Sequence, residues 1–196
     1  MADHDHDHEH DHSHDNGDEG QELEREARRL LALSRIRQYG DTVLRMKARE
    51  VDSFDDDLER LVERMTTLMH EANGVGLAAT QVGVLRRVFV FVEGEEDRVI
   101  VNPVITSSSK ETESDEEGCL SLRGVLVPVE RPKKVTIEGV DPKGEPVKLE
   151  LEAPSSRVVQ HELDHLDGVL IIDRTDEQSR RAALATLRPQ PVLGAR

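Results

Sequence analysis

Apolar positions along this chain follow two different periods, and the change from one to the other divides the sequence into parts. From Gln21 to about Gln38 a charged segment places Leu23, Ala27, Leu30 and Leu31 on one side, the spacing of a surface helix. Tyr39-Gly40-Asp41 reads as a turn. A stronger helical pattern runs from Ser53, where Phe54, Leu58, Leu61, Val62, Met65, Leu68 and Met69 recur at helical steps among first-turn acids; Asn73-Gly74 ends it. Beyond it Val88–Val92, Val99–Val101, Val125–Val129, Val135–Val140 and Val147–Leu151 read as strands, with a hairpin turn at Asp141-Pro142-Lys143-Gly144 between the last two. Pro154 opens a helix through His165 that stops at Gly168, and a final helical stretch covers about Asp176–Arg188 before Pro189 and Pro191 break it. Strands clustered between helices, without regular βαβ alternation, predict an α+β fold. Its mostly antiparallel sheet packs around a central helix carrying His161 and His165, with one helix N-terminal and another C-terminal to it.

Composition sets the limits of that body. At 196 residues the chain suits one ordinary domain with a real core. Residues 1–20 hold eight Asp or Glu and no Lys or Arg, interleaved with His4, His6, His8, His10, His12 and His14. Such a polar tract buries too little to offset chain entropy, so it is expected as a disordered tail; it either binds divalent metal weakly or only solubilises. The expected organisation is that tail over 1–20, a catalytic body over 21–175, a C-terminal helix over 176–188 and a flexible end over 189–196. A net charge of −15 with 2% aromatics argues against stable nucleic-acid binding, since phosphate attraction and stacking surfaces are both missing. No apolar run approaches the ~20 residues of a membrane span. A single cysteine fits a reducing compartment, and the N-terminus has neither a secretory apolar core nor the composition of a transit peptide. Cytoplasmic location is expected.

The central helix carries the chemistry. His161 and His165, at i and i+4, lie one above the other on a helix face and can grip one ion, and the adjacent Glu162 can take a proton from a water activated there. A metzincin would continue Gly-x-x-His, but Ile171 stands where that ligand would fall and no histidine follows His165. The bland alternative is a helix with two unrelated histidines. The conspicuous third donor is Cys119, the only cysteine, which would complete a Cys/His/His set with a position open to water; otherwise it is a small buried hydrophobe. Gly118 before it would let backbone approach the ion. The run Gly74-Val75-Gly76-Leu77-Ala78-Ala79-Thr80-Gln81 superficially matches a dinucleotide fingerprint, yet a helix precedes it and a strand follows, the reverse of what that motif needs. It suits close backbone approach to a substrate, with the Gln81 amide able to face an oxyanion, or else it is an ordinary helix-to-strand connection.

Together Gly74–Gln81, Glu117–Ser121 and His161–His165 match the forms GxGxAAxQ, EGCxS and HExDH, and the chain thereby resembles the peptide deformylase family over roughly residues 36–175. The resemblance implies that Cys119, His161 and His165 bind a divalent metal, with Fe²⁺ the native ion and Zn²⁺, Ni²⁺ or Co²⁺ as alternatives. It implies Glu162 as general base and later acid, with the Gln81 amide and the Leu120 N–H holding the formyl oxyanion. Backbone around Val75, Gly76 and Gly118 would pair with the peptide as an added strand, and Val158 would line the methionine pocket. The implied activity is release of formate from N-formylmethionine at nascent polypeptide N-termini in a bacterial-type cytoplasm. A transient ribosome contact through the Arg-bearing C-terminal helix is also implied; read from its residues alone, that helix is favoured as solvated and packed on the domain. Leu122-Arg123-Gly124, Pro154-Ser155-Ser156 and Asp41-Thr42-Val43 depart from the family's commonest forms, without touching a ligand or the base. A zinc endopeptidase and a metal-buffering protein are the competing functional classes.

Overall fold

Both faces of the segment VFVFV are apolar, and this places it between two layers. The structure, a computed structural model, describes residues 16–188, with side chains from Gly20 onward. In chain order it holds α1 (Asn16–Ser34), α2 (Asp56–Glu71), β1 (Gly76–Ala78), β2 (Val88–Glu93), β3 (Glu96–Ser108), β4 (Thr112–Gly118), β5 (Leu126–Pro132), β6 (Lys134–Val140), β7 (Pro146–Glu152), α3 (Ser155–Leu166) and α4 (Glu177–Leu187). Strands β1-β2-β3-β6-β7 form one antiparallel sheet, and β4-β5 a separate antiparallel pair. Along β2, Val88 and Val90 join a core with Leu58, Leu61, Met65 and Met69 of α2. The alternate residues Phe89 and Phe91 join a second core with Val159 and Leu166 of α3. The sheet therefore lies between α2 and α3, which is why β2 shows no polar face. The fold is α+β, as the apolar pattern predicts.

Helix α3 is seated by few residues. Val159 and Leu166 are fully buried, each stabilising by roughly 1.5–3 kcal/mol. After it the chain reverses at Gly168, which has φ +74 and sits so near Arg45 that a Cβ would stand 2.7 Å from the Arg45 carbonyl oxygen. Helix α2 starts where Asp55 caps the Leu58 N–H at 3.1 Å. Helix α4 starts where Asp176 accepts from the N–H groups of Gln178 and Ser179. It is held by Ala183, Leu184 and Leu187 against the third core, which surrounds Val127 and Val129 of β5.

Several elements differ from expectation. Helix α1 begins at Asn16, so residues 16–20 are helical rather than part of a tail; an acidic stretch suits the positive end of a helix. Residues 1–15 and 189–196, expected as tails, lie outside the described residues. Strand β3 runs far beyond Val101 because the ladder shifts register between Val101 and Val104, which accommodates Pro103 without needing its missing N–H. Asn102, at φ +53, fixes that irregularity through its side chain: Oδ1 accepts from Val51 N at 2.8 Å and Nδ2 donates to Val51 O at 2.9 Å. Strand β4, TESDEEG, has one buried residue, and its polarity hid it from hydrophobic patterning. Gly76–Ala78 is an edge strand of the sheet rather than part of a turn. Among the described residues no helix is long and apolar enough to cross a membrane.

Two predictions test this frame. Gly168→Ala should lower unfolding free energy by about 1–3 kcal/mol, since it meets both a left-handed backbone and the Arg45 carbonyl; a midpoint unchanged in urea denaturation would contradict the packing. Asp173 gives the second. It accepts from Arg45 and from the Leu170 N–H at 2.9 Å, and pairs with Arg180 at 3.2 Å, joining three segments. Partial burial works against its charge, but Arg45 and the Leu170 N–H outweigh that and hold its carboxyl below the ordinary 3.8. A depressed carboxyl stabilises the fold above its unfolded value, and that contribution fades as pH falls. Wild type should therefore exceed Asp173→Asn in stability near pH 7, with the gap closing below about pH 4.

Candidate metal centre and active site

Three chain segments far apart in sequence converge at one end of α3. The ligating atoms of Cys119, His161 and His165 all lie within 4.8 Å of one another, and Cys119 Sγ is 3.2 Å from His165 Nε2. Helical spacing stacks the two imidazoles with ring centroids 4.9 Å apart. Cys119 follows directly from β4 and faces them from the other wall. Four-coordinate ions with bonds of roughly 2.0–2.3 Å need donors about 3–4 Å apart, so the set fits one divalent transition metal with a position left open.

The donors are oriented by charge behind them. His161 Nδ1 lies 3.0 Å from Glu117 Oε2, which directs Nε2 away from Glu117 and fixes the ring. Glu117 also receives Arg131 Nε at 2.6 Å, Arg131 Nη2 at 2.9 Å and Arg157 Nη1 at 2.8 Å. Arg131 continues to Asp164 at 3.0 Å, and Asp164 to Arg174 at 2.6 Å. Burial alone would raise the Glu117 carboxyl, but hydrogen bonds from His161 and Arg131 bring it down to about 2. The histidines diverge. Burial pulls against the charge on His161, yet contacts with Cys119 and Glu117 raise it well above an ordinary imidazole. Burial, with the His161 charge beside it, drives His165 well below.

Glu162, adjacent to His161 in sequence, is buried with Oε2 lacking any hydrogen-bond partner among the described residues. Burial pushes its carboxyl up to about 7, which places a proton acceptor near neutrality. Its room comes from Gly76: a Cβ there would collide with Glu162 Oε1 and stand 2.9 Å from Val158 Cγ1. Gln81 is held at both ends of its amide. Oε1 accepts from the Ala78 N–H at 2.8 Å, while Nε2 donates to Ser121 Oγ at 3.1 Å and lies 3.7 Å from Cys119 Sγ. The Leu120 N–H has no protein acceptor among the described residues, and its carbonyl takes Gln38 Nε2 at 3.1 Å.

These groups open onto one cleft of about 600 Å³. Val75, Gly76, Gln81, Gly118, Cys119, Leu120, Val158, His161 and Glu162 all line it, and His165 is buried behind them with its Nε2 3.2 Å from Cys119 Sγ. Every residue singled out in the sequence is thus in one place. His70 is elsewhere, paired with Asp97 at 2.8 Å on the surface. The sequence reasoning missed the supporting layer of Glu117, Arg131, Arg157, Asp164, Arg174 and Ser121. Glu117 and Asp164 flank the ligands in the chain, a signal that was available; their arginine partners come from residues with no local cue.

Known proteins are similar to this chain over the span that builds the cleft. A sequence profile described as polypeptide deformylase matches residues 33–181. A peptide deformylase from Thermotoga sp. (strain RQ2) is 47% identical over 146 residues, covering 74% of this chain and 89% of that protein. One from Clostridium botulinum (strain Alaska E43 / Type E3) is 46% identical over 148 residues, covering 76% and 100%. The crystal structure of peptide deformylase from Thermotoga maritima superposes with a TM-score of 0.71 at 47% identity, covering 72% of this chain and 97% of that one. With the profile spanning the cysteine turn, the two-histidine helix and the glycine strand that meet in the cleft, the chain belongs to the polypeptide deformylase family.

Proposed function

We propose that this enzyme hydrolyses the formyl amide of N-formylmethionine on newly made chains in a bacterial-type cytoplasm, with Glu162 as the proton carrier and one divalent ion, Fe²⁺ foremost and Zn²⁺, Ni²⁺ or Co²⁺ as alternatives, held by Cys119, His161 and His165. The observation that carries it is the unpaired oxygen of a buried carboxyl beside three clustered metal donors, at the base of a cleft. Bound there, the ion supplies electrophilic activation of a water and of the formyl carbonyl.

The chain's own residues do the rest. Glu162 accepts the water's proton on its carboxylate, and the resulting hydroxide adds to the formyl carbon. Gln81 Nε2 and the Leu120 N–H donate to the oxygen that becomes negative, and one such donor is worth about 2.7–4 kcal/mol. Glu162 then returns the proton to the amine as the C–N bond breaks, leaving formate and a free N-terminus. Val158, half-buried beside Gly76, lines the space for the methionine side chain. Among the described residues strand β1 pairs only with β2, so its second edge is available for the substrate backbone, with Gly118 on the facing wall. A ribosome contact through α4 would draw on Arg188 and on Arg181, whose exposed i,i+4 pair with Glu177 exchanges readily, while Arg174 and Arg180 pair with Asp164 and Asp173.

Formate release from formyl-Met-Ala peptides, with metal analysis of protein purified anaerobically, tests the whole reading. Glu162→Ala should keep the metal and lose about 10²–10⁴-fold in turnover; a rate near wild type removes Glu162 from its role. Cys119→Ser should lose metal on dialysis against a mild chelator. Metal content equal to wild type would move the third ligand elsewhere.

A further inference from the structure

Helix α1 reaches the cleft with a residue that lies outside the span shared with the family. The profile match begins at residue 33, and the last turns of α1 before it contribute Arg29 to the cleft lining, next to Leu33. Leu33 is buried in the same core as α2, so this end of the helix is fixed while its charged face looks toward the opening.

The direction of a bound peptide follows from β1. Gly76 is against Glu162 and marks where the formyl group must sit. Reading backwards from it, Val75, Gly74 and Asn73 line the cleft in turn and lead to Arg29. Asn73 and Gly74 belong to the turn that ends α2, where Asn73 has φ +55 and the Gly74 N–H donates to Met69 O at 2.8 Å, so the wall beyond Val75 curves round to share the cleft rim with Arg29.

The deeper charges on this cleft are paired or buried, whereas at its rim Arg123 keeps its charge beside a neutral amide and Glu116 is exposed. Glu117 and Arg157 pair with one another at 2.8 Å, Glu162 is buried, and Arg123 Nε donates to Gln38 Oε1 at 3.1 Å. Glu116 lies on the β4 wall. Among the described residues Arg29 pairs with Glu26, at 3.0 Å on the exposed helix surface, a pair of a kind that contributes little and exchanges readily.

Resting on the deformylase reading, we propose that Arg29 is a specificity-determining residue of this chain: from the cleft rim it favours substrates carrying an acidic side chain downstream of the formylmethionine and disfavours basic ones there. The contact is solvent-exposed, so its effect is modest, falls with salt, and acts on KM rather than on kcat.

Formyl-Met-Ala-Asp, formyl-Met-Ala-Asn and formyl-Met-Ala-Lys amides, assayed on the full chain at low and high salt, test it. The expected acidic-to-basic ratio in kcat/KM is roughly two- to five-fold at low salt, the range that an exposed ion pair allows. Arg29→Gln should bring the ratio near one, and Arg29→Glu should invert it, with the change in KM. A merely structural role would lower all three peptides alike. Turnover with a ratio unchanged in Arg29→Glu overturns the inference alone; no turnover with any peptide overturns the deformylase reading and the inference with it.

Discussion

The contact between Glu117 and His161 is the constraint on which the site depends. It joins the end of a polar edge strand to the helix that carries both histidines, and it does so with a buried carboxylate. Such a charge is tolerated only when fully answered, and here two arginines and an imidazole answer it. The same arrangement then sets the tautomer and direction of His161. Removing the arginines would leave a buried anion unmatched, so the packing of β4 and β5 against α3 and the aim of the ligand are one problem with one solution. The chain extends outward through Arg131, Asp164 and Arg174, ending at the segment that leads into α4.

Glu162 presents the opposite case beside it. It lies close to Glu117 yet has no arginine of its own, and burial leaves it easier to protonate than any ordinary carboxyl. Two neighbouring carboxyls are thereby pushed in opposite directions, Glu117 held as an anion by its hydrogen bonds and Glu162 raised by burial. The glycine at position 76 is what permits this, since any side chain there would occupy the space of Glu162.

Much of this was legible in the sequence, for physical reasons that differ by element. Helices α2 and α3 declare themselves because each buries a stripe against the sheet, and β2 because both its faces are covered. Strand β4 could not be found, since it stands at the edge of a two-stranded pair and turns nearly every side chain to solvent. The length of β3 was hidden by Asn102 and Pro103, which look like a strand's end and are in fact a bulge pinned to Val51. At the site, Cys119, His161, Glu162 and His165 are visible because their chemistry is rare and their spacing meaningful. Arg131 and Arg174 are not, because an arginine in a sequence says nothing about which carboxylate it will meet.

Helix α1 shows where the protein is free to differ. Leu23, Leu30 and Leu31 remain largely exposed, while Ala32, Leu33 and Ile36 are buried, so the helix is anchored by its end rather than along its length. Its outer turns carry i,i+3 and i,i+4 pairs such as Arg28–Glu24 and Arg29–Glu26, which cost little to rearrange. A charge placed one turn from a rigid anchor, at the rim of a cleft whose deeper charges are paired or buried, is positioned to meet what enters without touching the residues below. The buried network fixes the reaction, and exposed residues at the rim are where a preference among peptides can be set.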